Sequence, residues 1–257
     1  MTLLNQRRPM VLAAALLALG LLVNVASATN SWNGYHWAHT TSPFTLKLGN
    51  NLSSAWQLRF SQASTDWNSP EVFGKSTPLL TAIVAGASSG RRCKMVAGTT
   101  QVCNSTYGNN GWLGLATIYI TGGVHITQGS DKMNDTYFNT SKYNNDNEKQ
   151  HVICQEVAHT FGLDHQSTDG SSQNTCMDYF SNTGANASST LSTRPNVHDF
   201  DELCEVERHV APMVHGGLVL RVGEDVLRVD GHGVAGEVPH VCVEDGERFH
   251  VVDGVGA

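Results

Sequence analysis

The segment Gln155-Glu156-Val157-Ala158-His159-Thr160-Phe161-Gly162-Leu163-Asp164-His165 constrains this chain more than any other. On an α-helix, positions 155 and 159 are i and i+4 and leave the same face, so two donors there can grip one ion. Glu156 stands beside them, placed to hold a water next to the ion rather than the ion itself. Gly162 can take the left-handed conformation that ends a helix, and the chain then turns back to bring His165 to the same point. Two helix donors, a glycine turn and a third donor make a three-ligand site with one position open, the arrangement of a catalytic zinc centre.

The surrounding pattern predicts the elements that carry this segment. Asn144-Asn145-Asp146-Asn147 supplies cap chemistry ahead of a helix bearing Val152, Ile153, Val157 and Phe161. Upstream, Phe44-Thr45-Leu46-Lys47-Leu48 alternates like a strand, with Asn50 and Asn51 as turn residues. Ser53 or Ser54 then caps a helix whose stripe of Trp56, Phe60, Ala63 and Trp67 faces the core, and Pro70 ends it. Residues 79–85 read as an interior strand, and 112–120 as a strand with Gly114 marking a bulge. Residues 124–133 form a third extended run, broken by Gly129. The order predicts an α+β domain, a twisted mixed sheet with two long helices.

Compartment follows from the first residues and the cysteines. Arg7 and Arg8 precede an apolar run over 10–25, interrupted only by Gly20 and Asn24 and too short for a comfortable membrane span. Ala26-Ser27-Ala28 offers small residues for cleavage, so residues 1–28 read as a secretory signal peptide. Loss of Arg7 and Arg8 takes the formal charge from −7 to −9, which points to a soluble acidic protein with no membrane association after cleavage. No basic stripe exists, so nucleic acid is excluded as a partner. The chain has 257 residues, 40% hydrophobic and 15% charged, enough to bury the core of one domain with a small appendage. Six cysteines, an even count in an exported chain, suggest disulfides. Cys93 and Cys103 flank a loop clipped at its base, Cys154 and Cys176 bracket the 155–165 segment, and Cys204 and Cys242 are left over.

The 155–165 segment resembles the metzincin signature H-E-x-x-H-x-x-G-x-x-H, with Gln155 in place of the first His. Cys176-Met177-Asp178-Tyr179 resembles the Met-turn that lies under the metal in that family. The Met-x-Tyr spacing is similar to that of astacins and serralysins. The resemblance runs over about residues 44–203, strongest over 134–179, and is nearest to small matrixin-like secreted bacterial proteases. It implies a metzincin-like catalytic domain over 29–207, followed by a C-terminal extension over 208–257. It also implies a secreted, monomeric zinc endopeptidase acting on protein or peptide substrates. In that reading Gln155, His159 and His165 hold Zn2+. Glu156 is the general base toward a zinc-activated water. Met177 forms the base of the site, and Tyr179 is placed to stabilise the oxyanion. Residues 112–120 offer an edge strand to the substrate. A Cys154–Cys176 disulfide would tie the helix to the Met-turn; Cys154 points away from the ligand face and is no thiolate ligand.

Gln155 departs from the pattern. Its carboxamide oxygen is neutral and a weaker zinc donor than imidazole, yet long enough to reach the ion. Three readings stand: Gln155 ligates and the enzyme works; zinc is lost and a pseudoenzyme binds peptides or a partner; or a different metal is taken. His151 is roughly 12 Å along the helix from His159 at about 1.5 Å per residue, too far to substitute, and reads as a solvent-side or cap histidine. His36, His39, His125 and His198 read as surface or packing residues. Sequons at Asn51, Asn104, Asn134, Asn139 and Asn186 are only compositional if the source is bacterial. No cysteine precedes Phe44 to act as a thiolate switch.

Beyond Asn196 the chain contains no Ser, Thr or Asn, and beyond about Glu207 it becomes rich in Val, Gly, His and Glu. This reads as a short extra β module or as a tail of separate origin. Deleting residues 210–257 is expected to leave the core's cooperative thermal unfolding intact; an unfolded truncated chain, seen by circular dichroism, would refute that.

Overall fold

Apolar positions every three or four residues between 56 and 67 put Phe60, Ala63 and Trp67 on one face, and all three are fully buried on α1 (Gln57–Trp67). A computed structural model describes residues 30–208, 217–222 and 225–230. In it α1 is the crossover between β2 (Phe44–Asn51) and β3 (Leu79–Ala85), which pair in parallel; parallel neighbours need a connection of this length. The helix starts at Trp56 and not at a serine cap. No side chain caps it, and Trp56 is instead drawn into the core with its indole N–H donating to Asp135 Oδ1 at 2.9 Å. A 3-10 turn, Pro70–Phe73, follows α1.

β4 (Thr99–Ser105) pairs in parallel with the other side of β2 and with β6 (His125–Asn134). β5 (Gly114–Thr121) pairs antiparallel with β6 alone, and β1 (His36–Trp37) adds a two-residue parallel pairing to β6. The expected mixed sheet is therefore present, six-stranded and mostly parallel, an α/β layering compatible with the α+β expectation. After β6 come α2 (Asp135–Phe138), α3 (Asp146–His159) and α4 (Val197–Arg208). α4 joins the two long helices expected and falls where residues 197–203 read as the start of a closing helix. α1 and α3 pack against each other, and α3 lies on β5 and β6.

Several local expectations are corrected. β3 is the outermost strand beyond β2, with Ile83 40% exposed, and not an interior one. β2 continues through Asn50 and Asn51 because both keep their pairing with β3 or β4. Gly129 does not break β6: a Cβ there would run into Thr100 and Thr160, so glycine lets the strand approach the end of α3. Gly114 is regularly paired with Met133, and the irregularity in β5 falls at Tyr119/Ile120. The Cys93–Cys103 disulfide closes the loop into β4 as expected. Cys242 lies outside the described residues, and with it the pairing of the last two cysteines. In the tail, β7 (Gly217–Val222) and β8 (Asp225–Asp230) form an antiparallel pair. No helix among the described residues is long and apolar enough to cross a membrane, and the two disulfides suit an oxidising compartment.

α4 begins with a reciprocal cap. Asn196 N donates to Asp199 Oδ2 at 2.7 Å, and Asp199 N donates to Asn196 Oδ1 at 3.2 Å. Burial pushes the Asp199 carboxyl from 3.8 up to about 6, against hydrogen bonds from Thr175, Asn196 and Gln166 that favour the charged form. A raised folded-state value means the stabilisation is fully present below 3.8 and is lost as pH rises through about 6. The melting-temperature advantage of the native chain over Asp199→Asn is therefore expected to be largest near pH 4 and to shrink toward pH 7 in calorimetric scans.

Candidate metal centre

α3 is positioned at both ends. Asn145 caps it, its Oδ1 accepting from Glu148 N at 2.9 Å, with Asp146 and Glu148 in the first turn where the helix dipole favours acids. At the far end Gly162 adopts φ +101°, and any Cβ there would collide with the Tyr35 carbonyl. A bulkier residue would thus push apart the loop carrying His165.

Three side chains fasten α3 to the turn over residues 176–178. Cys154 is bonded to Cys176. Gln155 Nε2 donates to the carbonyls of Cys176 and Asp178, each at 2.9 Å. His151 Nε2 faces the same Asp178 carbonyl at 3.0 Å, and its Nδ1 faces Asn182 Oδ1 at 3.2 Å. His151 is therefore not the solvent-side or cap residue expected: the first turns of α3 face the segment following the turn, and the imidazole is buried between them. Asp178 shapes that segment, its carboxylate accepting from Gln173 N, Phe180 N and Ser192 Oγ. Met177 is fully buried in the core.

A strap from the N-terminal side closes the loop. Asn30 Nδ2 donates to His165 O at 2.6 Å, Asp164 N donates to Asn30 O at 2.6 Å, and Trp32 N donates to Gly162 O at 2.7 Å. Asn30 also meets His198 and Glu202 on α4. The Trp32 ring stands edge-on to His159, with centroids 6.0 Å apart.

These restraints bring His159 Nε2 and His165 Nε2 to 3.0 Å from each other. His159 Nδ1 is held by Leu163 O at 2.8 Å and His165 Nδ1 by Asp164 Oδ1 at 3.1 Å. With the Nδ1 protons so engaged, both Nε2 atoms present lone pairs to one point. Burial lowers both imidazoles, His159 to about 4 with His165 adding to the effect, while Asp164 partly opposes the shift of His165, so a proton is a poor occupant there. A divalent cation suits this pair: two nitrogens about 2.0–2.1 Å from a tetrahedral zinc stand about 3.3 Å apart. Among the described residues no group of three His, Cys, Asp or Glu side chains is drawn together to hold a metal; beside the two imidazoles the cleft wall carries the Gln155 carboxamide as a residue that could join them.

Glu156 lies on the sheet side of the same point. It is buried, accepts a hydrogen bond from Ala116 N on β5, and is pushed up to about 8 by burial. Gly114 makes room for it, since a Cβ there would overlap the Glu156 carboxyl. Behind it Asp131 on β6 is buried with neither carboxyl oxygen hydrogen-bonded; burial first, then Glu156, drives its pKa well up.

A cleft of about 670 Å3 runs over the site between β5 and the segment after the turn, with Gln155, Glu156, His159, His165 and Tyr179 all on its walls. Tyr179 is 51% exposed, with its ring 4.5 Å from that of His165. Asn30, Trp32 and Asp131 carried no readable signal in the sequence. Gly114 did carry one, because a glycine inside a strand marks close approach as well as a bulge. No protein-family model matches the chain, and a search of curated proteins finds no match.

Replacing Gly114 with Ala is expected to displace the Glu156 carboxyl and return it toward its ordinary 4.5 from about 8. Carboxyl 13C NMR on metal-free protein reads this directly; an unchanged titration would mean that the glycine is not needed. Because the native value is raised, native protein loses stability relative to the variant as pH rises through about 8.

Proposed function

We propose that the chain is a secreted zinc-dependent endopeptidase of metzincin type. The observation that carries this reading is the pair of imidazole Nε2 atoms 3.0 Å apart beside a buried carboxyl on the floor of a cleft. His159, His165 and the Gln155 oxygen would hold the ion, and zinc, when bound, supplies a Lewis acid for the scissile carbonyl and makes water a nucleophile at neutral pH. Glu156 is protonated in the neutral range when only protein surrounds it, and a cation held next door favours its ionised form. From there it takes a proton from the attacking water and passes it to the leaving amine. The exposed Tyr179 hydroxyl is free to donate to the oxyanion. The open edge of β5 offers backbone groups to an extended peptide.

One observation favours a second reading. The Gln155 amide is committed to the turn through two carbonyls, a task that needs no metal. On that reading the fold is a catalytically impaired pseudoenzyme that binds proteins or peptides in the same cleft.

Elemental analysis of the purified mature protein separates the two. Near-stoichiometric zinc is expected, with peptide hydrolysis that falls by about 10²–10⁴-fold in Glu156→Gln. Zinc absent from the native chain but filling Gln155→His would leave the binding module.

A further inference from the structure

We propose that the carbonyls of Cys176 and Asp178 orient Gln155 as an oxygen donor, so that the turn decides which residue types at position 155 can hold the metal. This rests on the metal-dependent reading above.

A primary amide has two N–H donors and one acceptor oxygen. Both donors of Gln155 are used on the turn, at 2.9 Å to each carbonyl. Carbonyls only accept, so nitrogen and oxygen cannot be exchanged at this side chain. The planar amide therefore turns its oxygen away from the turn, and among the described residues no donor meets that oxygen. Gln155 lines the cleft together with His159 and His165, so the oxygen is the atom the amide offers there. Donating both N–H groups also polarises the amide and places more negative charge on the oxygen. That offsets part of the deficit of a carboxamide against an imidazole.

The two carbonyls cannot swing aside. The Cys154–Cys176 disulfide holds one, and Cys176 N is bonded to Arg194 O at 2.9 Å. The other is shared with His151 Nε2, and the Asp178 carboxylate is fixed by three donors. A residue at 155 must then show an N–H to the turn and a lone pair to the ion. His does this with its two ring nitrogens, and Gln with its amide. Glu cannot: its carboxylate has no donor for the carbonyls and would face their oxygens. Charge alone ranks Glu above Gln as a ligand for a divalent cation, whereas the turn ranks Gln above Glu.

The test is Co2+ and Zn2+ affinity of the native mature protein, Gln155→His and Gln155→Glu, measured by competition against a chromophoric chelator. The expected order is His, then Gln, then Glu, with Gln155→Glu weaker than native by about tenfold or more. Equal or tighter binding by Gln155→Glu overturns the orientation by the turn and leaves the metal site standing. No uptake of either ion by the native protein, with uptake by Gln155→His, overturns both. A second readout needs no variant: the Gln155 side-chain 13Cδ resonance should move on adding Zn2+ while its NH2 protons stay slow to exchange. A 13Cδ resonance that does not move overturns the inference even if Gln155→Glu fails to fold.

Discussion

The seam between α3 and the turn over residues 176–178 is the constraint on which the rest of the site depends. A helix presents its side chains at fixed angles, so once one face is sewn to the turn, every other face is aimed. His151, Cys154 and Gln155 make the seam through a buried imidazole, a disulfide and a carboxamide. Glu156 is thereby aimed at β5, and His159 at the loop carrying His165. Covalent and polar ties reinforce each other here, since the disulfide fixes the carbonyl that the amide then uses.

Opposite the seam, close approach is achieved by removing side chains. Gly114 and Gly129 are the places where β5 and β6 come nearest to Glu156 and to the end of α3. The two carboxyls buried there, Glu156 and Asp131, both resist ionisation. Asp131 has no hydrogen bond to offset its burial, an arrangement that costs stability wherever it is not serving a neighbour. Charging either acid makes charging the other harder.

What the sequence made legible is the local chemistry. The period of Trp56, Phe60, Ala63 and Trp67, the cap before α3, the Gly162 turn and the Cys93–Cys103 disulfide depend on neighbours along the chain or on spacing alone. The missing parts depend on residues far apart. Residues 79–85 read as interior because their apolar run is continuous, yet their place in the sheet is set by which strand pairs with β2. Gly114 was read for its own backbone when its meaning lies in Glu156, 42 positions later. His151 looked exposed because polar helix residues usually are, and its partners Asp178 and Asn182 lie 27 and 31 positions further along the chain.

The strap of residues 30–39 is made first and fastened last. Its partners are β6, the loop over 162–165 and, on α4, His198, Glu202 and Glu207; Asn30 to His198 and His39 to Glu207 each span 168 positions. Contacts this distant in sequence impose the largest loop-closure entropy and slow folding. Until synthesis has passed Glu207, the loop that presents His165 lacks part of its clasp, whatever the state of the helix beside it. The full set of bonds that aims the third donor thus exists only in a finished domain, and a chain interrupted before α4 would carry the signature segment without the geometry that gives it meaning.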